Sequence, residues 1–128
     1  MRIHVDAAND QEAYIMENNL DLEKRLYELQ AEVCKTLANP KRLEIINALK
    51  DGEKSVTDLV GILGVPKANV SQHLAVMRNS GVLVNRRDGV NIFYCLASPK
   101  VTEACMLMKE VLTERLKSKS GLLEKISS

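Results

Sequence analysis

The sequence predicts a mainly α-helical fold with one small β-hairpin, and three observations lead to it. Apolar residues recur at helical spacing in two stretches, at about residues 20–38 and 99–116. Between them lie two short helical segments separated by a glycine and a proline. Two β-rich runs around an Asp-Gly pair follow at residues 82–96. This order of elements predicts a winged helix-turn-helix flanked by an N-terminal and a C-terminal helix.

The N-terminal region divides into two parts. Residues 1–19 show no clean apolar period and are predicted to be an arm that is weakly structured or docks on the dimer. The helix that follows has two adjacent apolar stripes, so one can cover its own domain while the other meets a partner subunit. The alternative is that the terminal helices pack together within one chain. The stripes are Leu22, Leu26, Leu29, Val33 and Leu37, and Tyr27, Ala31, Cys34 and Ala38.

The two central helices have recognisable boundaries. The first has Ser55 or Thr57 available as an N-cap, and Gly64 ends it. Pro66 suits the first turn of the second helix, which spans residues 67–79. The two helices and their short turn thus form the helix-turn-helix of a winged-helix domain, which occupies residues 20–116.

One face of the second helix is predicted to be buried and the opposite face to be free for DNA. Val70, Leu74 and Met77 recur at i, i+4 and i+7 and form the buried stripe. The opposite face combines small side chains, which permit close approach, with hydrogen-bonding ones, of which Gln72 can bond an adenine edge in a bidentate manner. That face consists of Ala68, Ser71, Gln72 and Ala75.

Four other side chains of this helix complete its predicted DNA contacts. Lys67, Asn69 and Arg78 lie toward the margins of the face, where phosphate contacts would fix the register. His73 lies beside the buried stripe, and we assign it to packing or a phosphate contact in preference to a metal or catalytic role.

A basic hairpin is predicted directly after the second helix. A strand begins at Val82, the segment 86–89 supplies charge and a turn, and residues 90–96 return. Arg86 and Arg87, at the tip of the hairpin, can reach phosphates or a narrow minor groove. Asn91, just after the turn, is assigned to the same set of DNA contacts.

Charge and composition agree with this interpretation. The net charge of the 128 residues is only +1, but it is −4 over residues 1–38, +3 over 39–97 and +2 over 98–128. The positive excess therefore begins with the predicted DNA-binding segment. No apolar run is long enough to cross a bilayer and no signal-peptide pattern is present, so we expect a cytoplasmic protein with no membrane partner and a polar C-terminal tail at 117–128.

Three segments in order and at matching spacing, residues 37–46, 70–78 and 81–94, resemble the arsenic-repressor (ArsR/SmtB) family of winged-helix regulators. The resemblance covers about residues 29–112. It implies a homodimer, dimerising through its N- and C-terminal helices, that binds double-stranded operator DNA and represses transcription. It also implies that the protein leaves the DNA when a metal, a metalloid or an oxidant alters it. A two-fold dimer predicts an inverted-repeat operator.

The metal sites of well-understood relatives are mostly missing from this chain. Many thiolate-sensing relatives have a Cys-x-Cys pair where this sequence has residues 55–58, Ser-Val-Thr-Asp. Relatives that bind zinc on the last helix have their ligands at positions that align here with Ser98, Lys100, Val111 and Glu114. One carboxylate cannot make a tetrahedral zinc site.

The remaining sensor candidates are Cys34, Cys95 and Cys105, which are too far apart in sequence for a local metal loop. Folding or dimer packing would have to bring them together. Three hypotheses stay open: the thiols only pack, they bind a soft ion such as arsenite, or they respond to oxidants or reactive sulfur. No cofactor is certain.

Two other classes of function compete with a regulator. An enzyme has little support, because the two histidines are His4, in the arm, and His73, and neither accompanies a Gly-rich phosphate loop or a carboxylate cluster. A winged helix used as a protein-interaction adaptor is the other alternative. Substituting Arg86 and Arg87 by Glu would discriminate, since it should abolish DNA binding but leave an adaptor's contact largely intact.

Overall fold

The computed structural model describes residues 7–119, which form five helices and one small three-stranded sheet. The predicted fold class, mainly helical with a small antiparallel wing, is confirmed. In chain order the elements are α1 (Ala7–Leu37), α2 (Pro40–Ala48), β1 (Lys54–Ser55), α3 (Val56–Leu63), α4 (Lys67–Asn79), β2 (Leu83–Asp88), β3 (Asn91–Leu96) and α5 (Pro99–Lys119).

Helix α1 is 31 residues long and begins at Ala7, so the first alternative for the predicted arm, weak structure, is wrong for residues 7–19, whereas docking on the dimer stays a prediction. The segment lacks an apolar period, but it contains three Ala, two Glu and one Met and no Gly or Pro, so no residue in it strongly opposes a helix. Residues 1–6 of the predicted arm lie outside the described residues.

The chain divides into two compact units between Lys35 and Thr36, so most of α1 forms a unit of its own. In this single chain that unit leaves its large apolar side chains uncovered. The large apolar side chains of α1 that are exposed are Tyr14, Ile15, Met16, Leu20, Leu22, Leu26, Tyr27 and Leu29.

Helix α2 was not among the predicted elements, although its start carries a clear signal. The Oδ1 of Asn39 accepts hydrogen bonds from the backbone N–H groups of Lys41, at 2.9 Å, and Arg42, at 3.2 Å. Pro40 follows as the first helical residue, where its missing N–H costs no hydrogen bond. An Asn-Pro pair before an apolar stretch is therefore a sufficient sequence sign of this helix.

Helix α3 begins with a capping box. The Oγ of Ser55 accepts from the backbone N–H of Asp58 at 3.0 Å, and the Asp58 carboxylate accepts from the N–H of Ser55 at 3.2 Å. Gly64 ends the helix in the left-handed conformation, with φ of 67°. Pro66 is the N-cap residue of α4, one position earlier than the predicted first helical turn.

The hydrophobic core lies among α2, α3 and α4, of which α3 and α4 pack against the sheet. The predicted stripe of α4 is confirmed, because Val70, Leu74 and Met77 are all completely buried. The other buried apolar side chains are Ile45, Ile46, Leu49, Leu59, Leu63, Val82, Leu83 and Tyr94. α4 is thus held along one face, and its polar face is left at the surface.

The sheet has three antiparallel strands in the order β1-β3-β2, and the short edge strand β1 was not predicted. β2 continues through Asp88, which pairs with Asn91, so the two-residue turn consists of Gly89 and Val90. Gly89 has φ of 63°, as the first position of a type II′ turn requires. Arg86 and Arg87 therefore lie within a strand, whereas the sequence placed them at the tip.

Helix α5 extends to Lys119, so the predicted tail begins inside a helix, and residues 120–128 lie outside the described residues. It packs against α2, and Thr102 is the buried residue of its described length. Its large exposed apolar side chains are Met106, Leu107, Met108, Val111, Leu112 and Leu116. Between residues 7 and 119 no helix is long and apolar enough to cross a membrane.

Candidate nucleic-acid interface

Helix α4 presents a continuous polar surface opposite its buried stripe. Ala68, Ser71, Gln72 and Ala75 are all exposed. The two small alanines leave room for a groove wall or base edge to approach the backbone, and the Gln72 amide offers one acceptor and two donors. A 13-residue helix with this surface has the size and chemistry of a major-groove reader.

The margin of this surface is polar and basic. Lys67, Asn69 and Arg78 are exposed, as the sequence predicts. His73 is only half-buried, and its Nδ1 accepts a hydrogen bond from the Nε of Arg42, in α2, at 3.2 Å. Since Nδ1 is the acceptor, the neutral imidazole carries its proton on Nε2, the atom left to donate to another group.

The two arginines of the hairpin occupy opposite faces of the sheet. Arg87 pairs with Ile92 and shares its face with Leu83, which is buried against the helices. Arg86 pairs with Phe93 on the outer face, and its guanidinium carbon lies 4.6 Å from the centroid of the Phe93 ring. The sequence treats the two as equivalent, but the alternation of a strand makes them different.

Arg86 also forms a bidentate ion pair that the sequence did not predict. Its Nε donates to the Oε2 of Glu53 at 2.9 Å, and its Nη2 donates to the Oε1 of the same carboxylate. The hydrogen bond from Arg86 lowers the pKa of Glu53 below its ordinary value of 4.5, and the same bond raises the pKa of Arg86. Both groups are therefore charged near neutral pH.

The three cysteines are placed differently. Cys34, on α1, is exposed, whereas Cys95, on β3, and Cys105, on α5, are partly buried. Burial raises the pKa of the Cys105 thiol, which lowers its thiolate fraction and its reactivity. Within residues 7–119 of one chain, no group of three His, Cys, Asp or Glu side chains is arranged to hold a metal ion.

A reader helix flanked by a basic hairpin is the defining arrangement of winged helix-turn-helix DNA-binding proteins, and comparison with known proteins agrees. A family model described as bacterial regulatory protein, arsR family, matches residues 39–85. The HTH-type transcriptional regulator Rv0081 of Mycobacterium tuberculosis is 38% identical over 100 residues, which are 77% of this chain and 88% of that protein. Its crystal structure matches with a TM-score of 0.66, over 73% of this chain and 95% of that one.

Two further solved structures have the same architecture. The transcriptional repressor PagR of Bacillus anthracis matches at 40% identity with a TM-score of 0.60, over 66% of this chain and 98% of that chain. The homodimeric winged helix-turn-helix domain Mb0332 of Mycobacterium bovis, a possible ArsR-family regulator, matches at 30% identity with a TM-score of 0.69, over 77% of this chain and 91% of that chain.

These matches define a DNA-binding transcriptional regulator of the winged helix-turn-helix class. The chain belongs to the arsR family of bacterial regulatory proteins. The resemblance found in the sequence is therefore confirmed. Because the members are transcriptional regulators, the prediction that the chain is not an enzyme is confirmed as well.

Sequence reasoning missed two charged residues that organise this surface, Glu53 and Arg42. Glu53 lies in the segment before β1 and reaches Arg86, 33 positions later, and Arg42 reaches His73 across 31 positions. Neither pair has local spacing, so no periodic pattern reports it. The available sign of Arg42 is its place in the segment 37–46, which carries the family resemblance.

Proposed function

We propose that this protein is a homodimeric transcriptional repressor that binds an inverted-repeat operator and is released by a thiol-reactive signal. The observation that supports DNA binding is the two-sided character of α4. One side, with Val70, Leu74 and Met77, is completely buried, whereas Ser71 and Gln72 on the other side are exposed. Because packing already holds one side of this helix, the other side can enter a major groove with little loss of conformational entropy.

The apolar surfaces of the terminal helices support a homodimer. Leu22, Leu26 and Leu29 of α1 are exposed in the single chain, and so are Met108, Leu112 and Leu116 of α5. A monomer seldom leaves so many large apolar side chains in water, and a second copy of the chain would cover them. The relative from Mycobacterium bovis is homodimeric, and PagR is named a repressor.

A two-fold dimer predicts the form of the operator. Its two copies of α4 would enter major-groove faces about one helical turn, or roughly 34 Å, apart, so the operator would be an inverted repeat. Footprinting on the DNA upstream of the gene for this protein tests this proposal. Two protected half-sites related by a dyad would support it, whereas protection of a single half-site at saturation would contradict it.

The signal is the finer part of the proposal. Cys34 is exposed in the single chain and lies on α1, the helix that a second copy would cover, so we expect a reaction of its thiol with a soft metalloid, an oxidant or reactive sulfur to act on the contact between the two copies. Since no three-ligand metal group exists within residues 7–119 of one chain, an arsenite site would need thiols from both copies of the chain. A reaction of one or two thiols requires no such group.

Release is tested on the reduced protein bound to promoter DNA, by fluorescence anisotropy. Arsenite, zinc, an oxidant and a polysulfide are added separately, and the same additions are made to the Cys34→Ser, Cys95→Ser and Cys105→Ser variants. Release by one additive and its loss in one or two variants would identify the chemistry and the site. If the protein binds and no additive releases it, the thiols only pack and the signal is not a thiol reaction.

A further inference from the structure

An ion pair between Arg86 and Glu53, which we call the strap, lies on the outer face of the hairpin. Phe93 of β3 stands between Arg86 of β2 and Ser55 of β1 in the strand register. The Arg86 side chain passes over the Phe93 ring and meets the carboxylate of Glu53, which lies just before Lys54, the first residue of β1. The ion pair therefore bridges the two edge strands across the central one.

In this strap, Arg86 donates to Glu53 through the same N–H groups with which an arginine binds an oxyanion such as a phosphate. A guanidinium binds a carboxylate or a phosphate most strongly through two parallel N–H groups, and Arg86 gives its Nε and Nη2 to Glu53. The third nitrogen, Nη1, lies 3.9 Å from a carboxylate oxygen of Asp88. A phosphate that approached Arg86 would meet two carboxylates whose charges oppose it.

Arg87 differs from Arg86 in both respects. It is exposed, and within residues 7–119 it makes no hydrogen bond or ion pair. It lies on the same face of β2 as Leu83. Leu83 is buried, and β2 packs against α4. Its charge is thus available to DNA on the side of the wing that the reader helix shares.

We propose that Glu53 and Arg86 are positioning residues that hold the strands β2 and β3 in place, and that Arg87 makes the contact between this hairpin and a DNA phosphate. This inference rests on the proposed DNA binding and revises one part of the site, since the sequence gives both arginines the same role. The strap orients β2 and β3, and the orientation of the strands sets where the Arg87 guanidinium reaches.

The salt dependence of binding separates the two roles, because the removal of one cation that binds a phosphate reduces the slope of log affinity against log salt by about one. We measure it by anisotropy on the promoter DNA for the wild type and for Arg87→Gln, Arg86→Gln and Glu53→Gln. Arg87→Gln should flatten the slope by about one per protomer. Arg86→Gln and Glu53→Gln should weaken binding alike, with the slope unchanged.

A charge swap provides the matched control. The double variant Glu53→Arg with Arg86→Glu restores an opposite-charge pair but places a carboxylate beside Asp88 and over the Phe93 ring, so we expect it to bind more tightly than Arg86→Glu alone and more weakly than the wild type. If the swap binds no more tightly than Arg86→Glu and Arg86→Gln flattens the slope, Arg86 contacts phosphate and the inference is overturned.

Two further outcomes would overturn it. If Glu53→Gln binds more tightly with a steeper slope, Glu53 masks a DNA-contacting Arg86. If Arg87→Gln leaves the slope unchanged, Arg87 makes no phosphate contact.

Hydrogen exchange of the free protein tests the strap without DNA, so its failure is distinguishable from a failure of the proposed function. Amides of β2 and β3 should exchange faster than in the wild type in Glu53→Gln and Arg86→Gln, at the wild-type rate in Arg87→Gln, and more slowly in the swap than in Arg86→Glu alone. Unchanged exchange in the first two variants would refute the strap. A wild type that binds no promoter DNA would refute the proposed function together with the Arg87 contact, and exchange would still decide the strap.

Discussion

The Nε of Arg42 donates a hydrogen bond of 3.2 Å to the Nδ1 of His73, and this bond joins α2 to the reader helix. The same guanidinium donates from Nη1 to the backbone oxygen of Thr36, in the last turn of α1, at 3.0 Å. Arg42 therefore connects the end of α1 with α4 through one side chain. Any phosphate contact of His73 must use Nε2, because Nδ1 is already occupied.

We expect Arg42→Ala to destabilise the protein by about 1.5–3 kcal/mol, because the substitution removes a charged donor and leaves both of its partners without it. Chemical denaturation measures the change. Arg25→Ala is the matched control, since the ion pair of Arg25 with Glu28 has both side chains more than half exposed and should contribute about 0–1 kcal/mol. Equal effects of the two substitutions would show that the Arg42 contacts do not matter for stability.

Gln72→Ala should weaken binding to the specific operator by about 1–3 kcal/mol while changing the affinity for random DNA little. The reason is that the exposed Gln72 amide has the geometry to bond a base edge, and alanine leaves that edge unpaired. Anisotropy on both duplexes measures the difference. An equal loss on the two DNAs would show that Gln72 does not read bases.

The carboxyl of Glu53 should titrate below 4.5 in the wild type and return toward 4.5 in Arg86→Gln, because the hydrogen bond from Arg86 lowers its pKa. A lowered pKa means that the ion pair stabilises the folded state fully above pH 4.5. That contribution is lost as the pH falls through the lowered value. NMR titration of the Glu53 side chain measures both proteins. Identical midpoints would show that the pair does not form in solution.

Leu74→Ala should lower the free energy of unfolding by about 2–5 kcal/mol, because Leu74 is completely buried on the inner face of α4 and the shorter side chain leaves a cavity. Leu43→Ala is the control, since Leu43 is 44% exposed on α2. Denaturation of both variants provides the comparison. If the two costs are equal, α4 is not anchored by this stripe.

The sequence predicted most of helix α4 but less of the elements around it, for physical reasons. Val70, Leu74 and Met77 are found by helical period because the period follows from local geometry. The start of α1 at Ala7 was missed because propensity alone, without an apolar stripe, determines it. The strand β1 was missed because its two residues become a strand only by pairing with β3, whereas α2 was missed although Asn39 and Pro40 mark its start.

The roles of the charged residues were the least predictable part of the site. Arg86 and Arg87 are adjacent and chemically identical, and only the register of β2 against β3 shows that they face opposite ways. Glu53 becomes relevant only when the sheet brings it to Arg86. Such pairs depend on the folded backbone, so composition and spacing cannot report them.

An anisotropy titration tests most directly whether α4 reads a DNA sequence: the reduced protein is titrated, at physiological salt, on the DNA upstream of the gene for this protein and on a scrambled duplex of equal length. We predict binding to the upstream DNA at least about 10³-fold tighter than to the scrambled duplex, as a specific regulator requires. Equal affinity for the two duplexes, or no binding to either, would contradict the assignment of α4 as a sequence reader.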